Sequence, residues 1–288
     1  MHRALVIMNP IAGRGAGQHV LGGIEHGLRE RGIEFDTSST SQAGDARDAA
    51  RRADDYDIVV VIGGDGTLNE VINGLEADRP VALFPLGTGN VLGKELRLPR
   101  RVPRFCAMLA AGHERVLDLG RIGERHFVSM AGAGFDAVVA TALHEARDGA
   151  IRMTHYLRPL ARCMTSYRFP LLHVTIDGGE PIDAGGFALV SNVRAYGGPL
   201  VPAPDAVPDD GLLDVCVLPH GSRLAYLRAL AAFFLGLQHT LSGAHYYRGR
   251  SVTLSADERV PYQVDGDPAG LLPATAQLSE RKLRVVVP

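Results

Sequence analysis

Ile58-Val59-Val60-Val61-Ile62-Gly63-Gly64-Asp65-Gly66-Thr67, followed by Leu68-Asn69-Glu70-Val71-Ile72, is the stretch whose reading decides the fold. A β-branched run of this length reads as a buried strand. The glycines after it let the backbone turn tightly and come close to an anion without interference from a Cβ. The first amides of a following helix can then face phosphate. Asp65 is a poor partner for bare phosphate, so its place among the glycines points to a bridging Mg²⁺ or to a hydrogen bond with ribose. The same residues also suit an ordinary strand-to-helix turn in which Asp65 and Thr67 act as caps.

Outward from this stretch, strand-like and helix-like patterns alternate. Residues 4–8, 35–40 and 81–84 read as strands, and residues 17–31, 45–53 and 90–95 as helices, with a further helix from Leu68. This is an α/β pattern with a largely parallel sheet, whose ligands gather at the carboxyl ends of the strands. Three such ends carry small, polar or glycine residues: Asn9-Pro10-Ile11-Ala12-Gly13, residues 63–67, and Pro85-Leu86-Gly87-Thr88-Gly89-Asn90. Any one could be a plain turn, but three on one edge point to a nucleotide site. From about Phe127 the pattern changes to short apolar runs at 172–176, 187–191, 213–218, 251–254, 262–264 and 283–287, set between Gly, Pro and Asp clusters. That describes a mostly β domain, interrupted by helical stretches at 151–167 and 222–237. The expected division is an α/β domain over 1–124 and a β-rich domain over 125–288.

Composition narrows the chemistry. The chain has 288 residues, 46% hydrophobic and 22% charged, enough for about two domains with their own cores. A formal charge of −2 and a pI near 6.6 argue against nucleic-acid binding through bulk charge. Cys106, Cys163 and Cys216 are odd in number and widely spaced, which suits neither a disulfide framework nor a zinc site and fits a reducing cytoplasm. Residues 1–8 run straight into Asn9-Pro10 and are too short for a signal-peptide core. The longest apolar stretch, residues 224–237, is interrupted by Arg228 and falls short of the roughly 20 residues that span a bilayer. Lys94 and Lys282 are the only lysines, so no lysine grips phosphate inside a glycine loop. A Walker loop is excluded, because Gly89-Asn90-Val91-Leu92-Gly93-Lys94-Glu95 is one residue short and has Glu95 where a hydroxyl belongs. Gly13-Arg14-Gly15-Ala16-Gly17 lacks the spacing of a dinucleotide fingerprint.

The ordered set of motifs resembles the diacylglycerol kinase catalytic-domain family, in particular the bacterial soluble lipid kinases, which share a nucleotide fold with NAD kinases and sphingosine kinases. The residues that carry the resemblance are Asn9-Pro10 with Gly13, Thr40 with Gly44-Asp45-Ala46, residues 63–70, and Gly87-Thr88-Gly89-Asn90. Asp118-Leu119-Gly120, Asp209-Asp210-Gly211-Leu212-Leu213-Asp214 and Asp265-Gly266-Asp267 then follow in the expected order. The resemblance implies an α/β nucleotide domain followed by a β-sandwich-like domain, with the active site in the cleft between them. It implies ATP contacts from Asn9, Pro10, Ile11, Ala12, Gly13, Thr40, Gly64, Asp65, Gly66, Thr67, Leu68, Asn69, Glu70 and Thr88. It gives Asp65 the catalytic Mg²⁺, supported by Asp118, and places a structural Mg²⁺ at Asp210 with the carbonyls of Val207 and Leu212. A loop mixing a carboxylate and carbonyls suits a hard cation, although the same loop reads as an acidic turn closed by Gly211.

Phosphoryl transfer needs positioning, charge neutralisation and one carboxylate to take the acceptor's proton. The family's usual glutamate base falls on Asp267 here, one methylene shorter. Asp265 would share its face if the segment stayed extended, and so could assist with metal or proton. Asp265-Gly266-Asp267 also reads as a hairpin turn. A second departure is Val91, where many members carry an aspartate linked to the metal network. Residues 151–169 set Arg152, Arg158, Arg162 and Arg168 among apolar residues, which fits either an interfacial helix on a membrane surface or a packing helix with a solvated arginine face. Ala225, Leu227, Leu230, Ala231, Phe234, Leu235 and Leu237 read as core. The eleven histidines show no metal-ligand spacing. The expectation is therefore an ATP- and Mg²⁺-dependent kinase of a lipid hydroxyl such as that of diacylglycerol, cytoplasmic with peripheral membrane contact and compatible with a homodimer. A kinase of a sphingoid base or NAD, and a nucleotide- and lipid-binding regulator with little turnover, stand as alternatives.

Overall fold

The computed structural model describes residues 2–145, 157–197, 200–218, 223–238, 241 and 243–288. They fall into two compact units, Met1–Leu117 with Arg281–Pro288, and Asp118–Glu280. The expected boundary at Glu124 assigned the last eight residues and residues 118–124 differently.

The first unit is built on β1 (Arg3–Met8), β2 (Glu34–Ser39), β3 (Ile58–Gly63) and β4 (Val81–Pro85), in the order β2-β1-β3-β4 and all parallel. Val60 lies opposite Val6 on one side and Ala82 on the other. All six residues of β3 are buried, as expected of a strand covered on both faces by helices. The helices are α1 (Gly17–Arg29), α2 (Asp45–Ala50), α3 (Asp65–Gly74), α4 (Val91–Glu95) and α5 (Val102–Ala111). Leu21, Ile24 and Leu28 of α1 are buried at the spacing of one helical face. The sheet gains a further parallel neighbour from the far end of the chain, where Val285 pairs with Val81. The strand β5 (Glu114–Ile122) leads out of this unit.

The second unit contains β6 (Arg125–Phe127), β7 (Met130–Gly134), α6 (Phe135–Glu145), α7 (Leu157–Ser166), β8 (Leu171–Ile176), β9 (Ile182–Gly185), β10 (Phe187–Ser191) and β11 (Leu213–Val217). There follow α8 (Arg223–Leu235), β12 (His245–Gly249), β13 (Ser251–Ser255), β14 (Pro261–Val264), β15 (Asp267–Leu271) and the 13-residue β16 (Ala274–Val286). One antiparallel sheet runs β12-β11-β10-β7-β14-β15, and a second pairs β16 with β13, β13 with β8 and β8 with β9. Phe127, Leu172, Val174, Val190, Val215, Val252, Leu254 and Val264 come from strands of both and share one core, the signature of a sandwich.

Three features depart from the sequence expectation. The helix after β3 starts at Asp65, three residues early, because the extended Gly64 ends the strand and the helix begins at once. The central strand β7 reads Met-Ala-Gly-Ala-Gly, without the β-branched residues that signal a strand, and α5 and α6 were not anticipated. In the stretch expected to be core, Leu227, Phe234, Leu235 and Leu237 are 51%, 60%, 63% and 49% exposed, while Tyr226, Ala229, Ala232 and Phe233 are buried. An almost wholly apolar helix does not announce which side faces in. Of the arginine-bearing segment, residues 151–156, including Arg152, lie outside the described residues. Its Cys163 and Met164 are buried and Arg162 and Arg168 exposed. Among the described residues no helix is long and apolar enough to cross a membrane.

Candidate functional site

In the first unit, the loops after β1, β3 and β4 pack directly on one another. A Cβ on Gly64 would come within 2.9 Å of the Gly87 Cα, so only glycine permits the two turns to touch. The Asn9 side chain donates to the Thr67 hydroxyl at 3.3 Å and accepts the Ile11 amide at 3.1 Å, which curls residues 9–13 over the start of α3. Gly13, at φ +61, sits against the Leu86 carbonyl. Thr40 is tied to the same edge by its amide, which donates to the Met8 carbonyl at 2.9 Å. Asn9, Pro10, Ile11, Ala12, Gly13, Thr40, Gly64, Asp65, Gly66, Thr67 and Thr88 therefore lie along the carboxyl edge of the sheet. The Gly66 and Thr67 amides at the start of α3 have no carbonyl within their own helix and can face an anion there, while the Asp65 amide bonds its own carboxyl.

Leu68, Asn69 and Glu70 are placed differently. Leu68 is buried and its amide donates to Gly64. Asn69 is buried beside Asn73. Glu70 accepts the Ala46 amide at 3.1 Å, so it holds the start of α2.

Asp65 accepts the Val91 amide on Oδ1 at 2.7 Å. This contact depends on Asn90, which takes a left-handed φ of 47° and turns its own side-chain amide onto the Gly87 carbonyl. The position that lacks a family carboxylate thus still engages Asp65, through its backbone. Enclosure by the surrounding atoms raises the Asp65 carboxyl above its ordinary range; the amides of Val91 and Asn90, its own amide and the charge of Lys94 oppose that shift. Lys94, lowered by burial and raised by Asp65, is a cation the sequence reading set aside because it stands outside the glycine loops. A lone carboxylate suits Mg²⁺, which keeps several waters and binds through one or two carboxylates plus substrate phosphates. The charged concavities lined by Arg3, Glu34 and Asp36, and by Asp57, Pro80 and Arg284, include the amino-terminal ends of strands β1 to β4, away from this edge.

In the second unit, β14 and β15 form a hairpin whose two turn residues, Asp265 and Gly266, have φ of 49° and 88°. Two consecutive positive φ values are those of a type I′ turn. Asp265 is consequently not extended and does not share a face with Asp267. Its carboxylate accepts three amides, from Val128, Ser129 and Met130, at 3.1, 2.9 and 2.9 Å. Asp267 follows the turn and pairs with Arg125 at 3.2 Å, and that guanidinium also donates to the Val264 carbonyl. Beneath the hairpin, Asp136 at the start of α6 accepts the Gln263 side-chain amide at 2.7 Å and the Tyr196 hydroxyl. Nothing in the spacing of the sequence marks Asp136 or Gln263.

At the loop expected to hold a structural cation, the Asp210 carboxylate accepts the Leu212 amide on Oδ1 at 3.0 Å, and Arg248 lies 3.8 Å from its Oδ2. Arg248 also donates to Asp214 at 2.9 Å and to the Asp205 carbonyl. The Val207 carbonyl accepts the Asp210 amide. A guanidinium thus stands beside the carboxylates of this loop, and the Asp210 carboxylate accepts an amide of its own loop. Among the described residues no group of three or more His, Cys, Asp or Glu side chains is arranged to hold a metal. Asp118 is buried and accepts the Gly211 amide at 2.7 Å, so it fastens this same loop.

Residues 3–122 match the diacylglycerol kinase catalytic domain, and residues 129–287 match the YegS C-terminal NAD kinase beta sandwich-like domain. The diacylglycerol kinase of Mycobacterium tuberculosis (strain ATCC 25618 / H37Rv) is 32% identical over 296 residues, covering 99% of this chain and 95% of that protein. The diacylglycerol kinase of Bacillus subtilis (strain 168) is 28% identical over 303 residues, covering 100% and 97%. Among solved structures, a diacylglycerol kinase from Bacillus anthracis str. Sterne has a TM-score of 0.76 at 20% identity, covering 100% of this chain and 97% of its own. An NAD kinase from Archaeoglobus fulgidus in complex with ATP has a TM-score of 0.56 at 13% identity, covering 99% and 93%. The two structures share the fold, an NAD kinase-like α/β part followed by a β sandwich. With both domain matches in sequence order and a relative alignable along nearly its whole length, the chain belongs to the diacylglycerol kinase catalytic-domain family.

Proposed function

We propose that this protein is an ATP- and Mg²⁺-dependent lipid kinase that transfers the γ-phosphate of ATP to a hydroxyl of diacylglycerol or a closely related lipid. The observation that carries the reading is the packing of three glycine-bearing loops against the start of α3, with Asp65 fixed among them by the Val91 amide. That arrangement offers backbone N–H groups to phosphate and a single carboxylate to a cation. The names of the relatives support the acceptor class.

In this reading the loops at Asn9, Gly64 and Thr88 hold the triphosphate, and Asp65 takes the Mg²⁺ that arrives with it. Bound there, Mg²⁺ would neutralise charge on the β- and γ-phosphate oxygens. Asp267 accepts the proton of the lipid hydroxyl as its oxygen bonds to the γ-phosphorus. The bond from that phosphorus to the bridging oxygen breaks, and ADP leaves. Arg125 orients the Asp267 carboxylate through its contact at 3.2 Å. Asp265, with its three backbone donors, shapes the turn instead of sharing the proton.

The test is transfer of labelled γ-phosphate from ATP with Mg²⁺ into an extracted bacterial lipid pool, run beside NAD and beside Asp267→Ala. Labelled lipid that falls at least about 100-fold in the variant is the expected result. Label appearing in NAD would move the assignment to the NAD kinase class, and ATP binding without any labelled product would replace the enzyme with a binding protein.

A further inference from the structure

We propose that Asp136 is a positioning residue for Asp267, acting through the side chain of Gln263 and the backbone amide of Gly266. The inference rests on the reading of Asp267 as the base. Asp136 and Gln263 are both buried, at 3% and 0% exposure. Gln263 Nε2 donates to Asp136 Oδ2 at 2.7 Å, and Gln263 Oε1 accepts the Gly266 amide at 2.6 Å. Gly266 is the residue immediately before Asp267 in the hairpin turn.

The direction of the chain of hydrogen bonds matters. A glutamine side chain has a donor end and an acceptor end. An anionic or neutral carbonyl oxygen at Asp136 claims the donor end, which leaves the acceptor end for Gly266. Without an acceptor at 136, the buried Nε2 end is left unpaired, and the side chain that holds the Gly266 amide loses the bond that fixes it.

Two further observations show that the carboxyl is built in. The Tyr196 hydroxyl donates to its other oxygen. A Cβ on Gly132 would fall 1.7 Å from Oδ2, so the central strand β7 leaves its side-chain space to this group. Burying a carboxyl away from water is costly. Asp136 accepts a hydrogen bond from Gln263, the side chain that holds the turn through the Gly266 amide, so its place is explained by the Asp267 hairpin. An aspartate base one methylene shorter than glutamate is sensitive to drift of that hairpin, since a displacement of about 1 Å can cost on the order of 100-fold in rate.

The experiment compares Asp136→Leu, which removes the acceptor at similar volume, with Asp136→Asn, whose amide can turn its oxygen to Gln263. Asp267→Ala and Gln263→Leu complete the set. Lipid phosphorylation is measured well below each unfolding midpoint, and hydrogen exchange of the Gly266 amide is followed by NMR on the full chain. Asp136→Leu should lower kcat by about 10- to 100-fold with KM for ATP within about twofold, and Asp136→Asn should recover most of the loss. Gly266 should exchange about tenfold faster in Asp136→Leu and Gln263→Leu than in the parent or Asp136→Asn. Unchanged exchange in Asp136→Leu overturns the proposal whether or not turnover is seen. An unchanged kcat in Asp136→Leu, with Asp267→Ala inactive, overturns the positioning role alone. Turnover that survives in Asp267→Ala overturns the base reading and the positioning role with it.

Discussion

Burial pushes the Asp136 carboxyl above the ordinary carboxylate range, against the hydrogen bonds from Tyr196 and Gln263 that favour its charged form. A carboxyl whose pKa is raised in the folded state binds its proton more tightly there than in the unfolded chain. Its contribution to stability is therefore fully present below the unfolded pKa of about 3.9 and is lost as pH rises through the folded value. Asparagine cannot titrate. The unfolding temperature of Asp136→Asn relative to the parent should accordingly rise as pH is raised from about 4, and level off once the folded-state carboxyl has ionised. A difference that stays constant from about pH 4 upward would mean that Asp136 ionises as readily inside as out. At this scale the sequence was legible where chemistry is local. Asp65 among its glycines, and the order Asp265-Gly266-Asp267, can be read from spacing alone. Partnerships across long separations cannot: the donors to Asp265 stand 135 to 137 positions earlier, and Gln263 meets Asp136 across 127. The left-handed φ at Asp265 is the one an Asp-Gly hairpin turn favours and was legible as such; that it turns the carboxylate toward those donors was not.

The helix α8 shows the same limit one level up. Its extent was readable from an apolar run interrupted only by Arg228, but a helix that is apolar nearly all round gives no periodicity from which to pick the buried face. Packing decides: Phe233 is 3% exposed and lies 6.5 Å, ring to ring, from Phe187, whereas the adjacent Phe234 is 60% exposed. Phe233→Ala should cost roughly 3–5 kcal/mol of stability, as large aromatic truncations in a core do. Phe234→Ala should stay within about 0.5 kcal/mol, the range of surface changes. Denaturant titration of both variants checks the assignment, and equal losses would refute it. In the first unit β1, β3 and β4 were legible because each is buried nearly throughout and reads as a short apolar run, whereas β2 is largely exposed. β7 was hidden because close approach of Asp136 demands glycine where a strand signal demands valine.

At the scale of the whole molecule, the two-part architecture and its order could be read from the change in pattern near residue 127. The division of the chain could not, because a 13-residue strand that belongs to both units reads in sequence as a local run at its end. Leu283, Val285 and Val286 are at most 2% exposed. Burying each such side chain is worth about 1.5–3 kcal/mol, and a domain's net stability is only about 5–15 kcal/mol. A chain ending at Glu280 should therefore lose cooperative unfolding of the first unit and expose it to protease, while a variant with only Pro288 removed should not. Survival of residues 1–117 under limited proteolysis in the shorter chain would contradict the account.

The far end of β16 also sets a schedule. Domains usually fold in the order in which they leave the ribosome, yet the first unit here lacks the strand beside β4 until residues 281–286 have been made. Those residues have to be synthesised before the part encoded about 200 positions earlier can close. A message that stalls before residue 281 would yield a chain with an open sheet edge, a species for chaperones and proteases to sort.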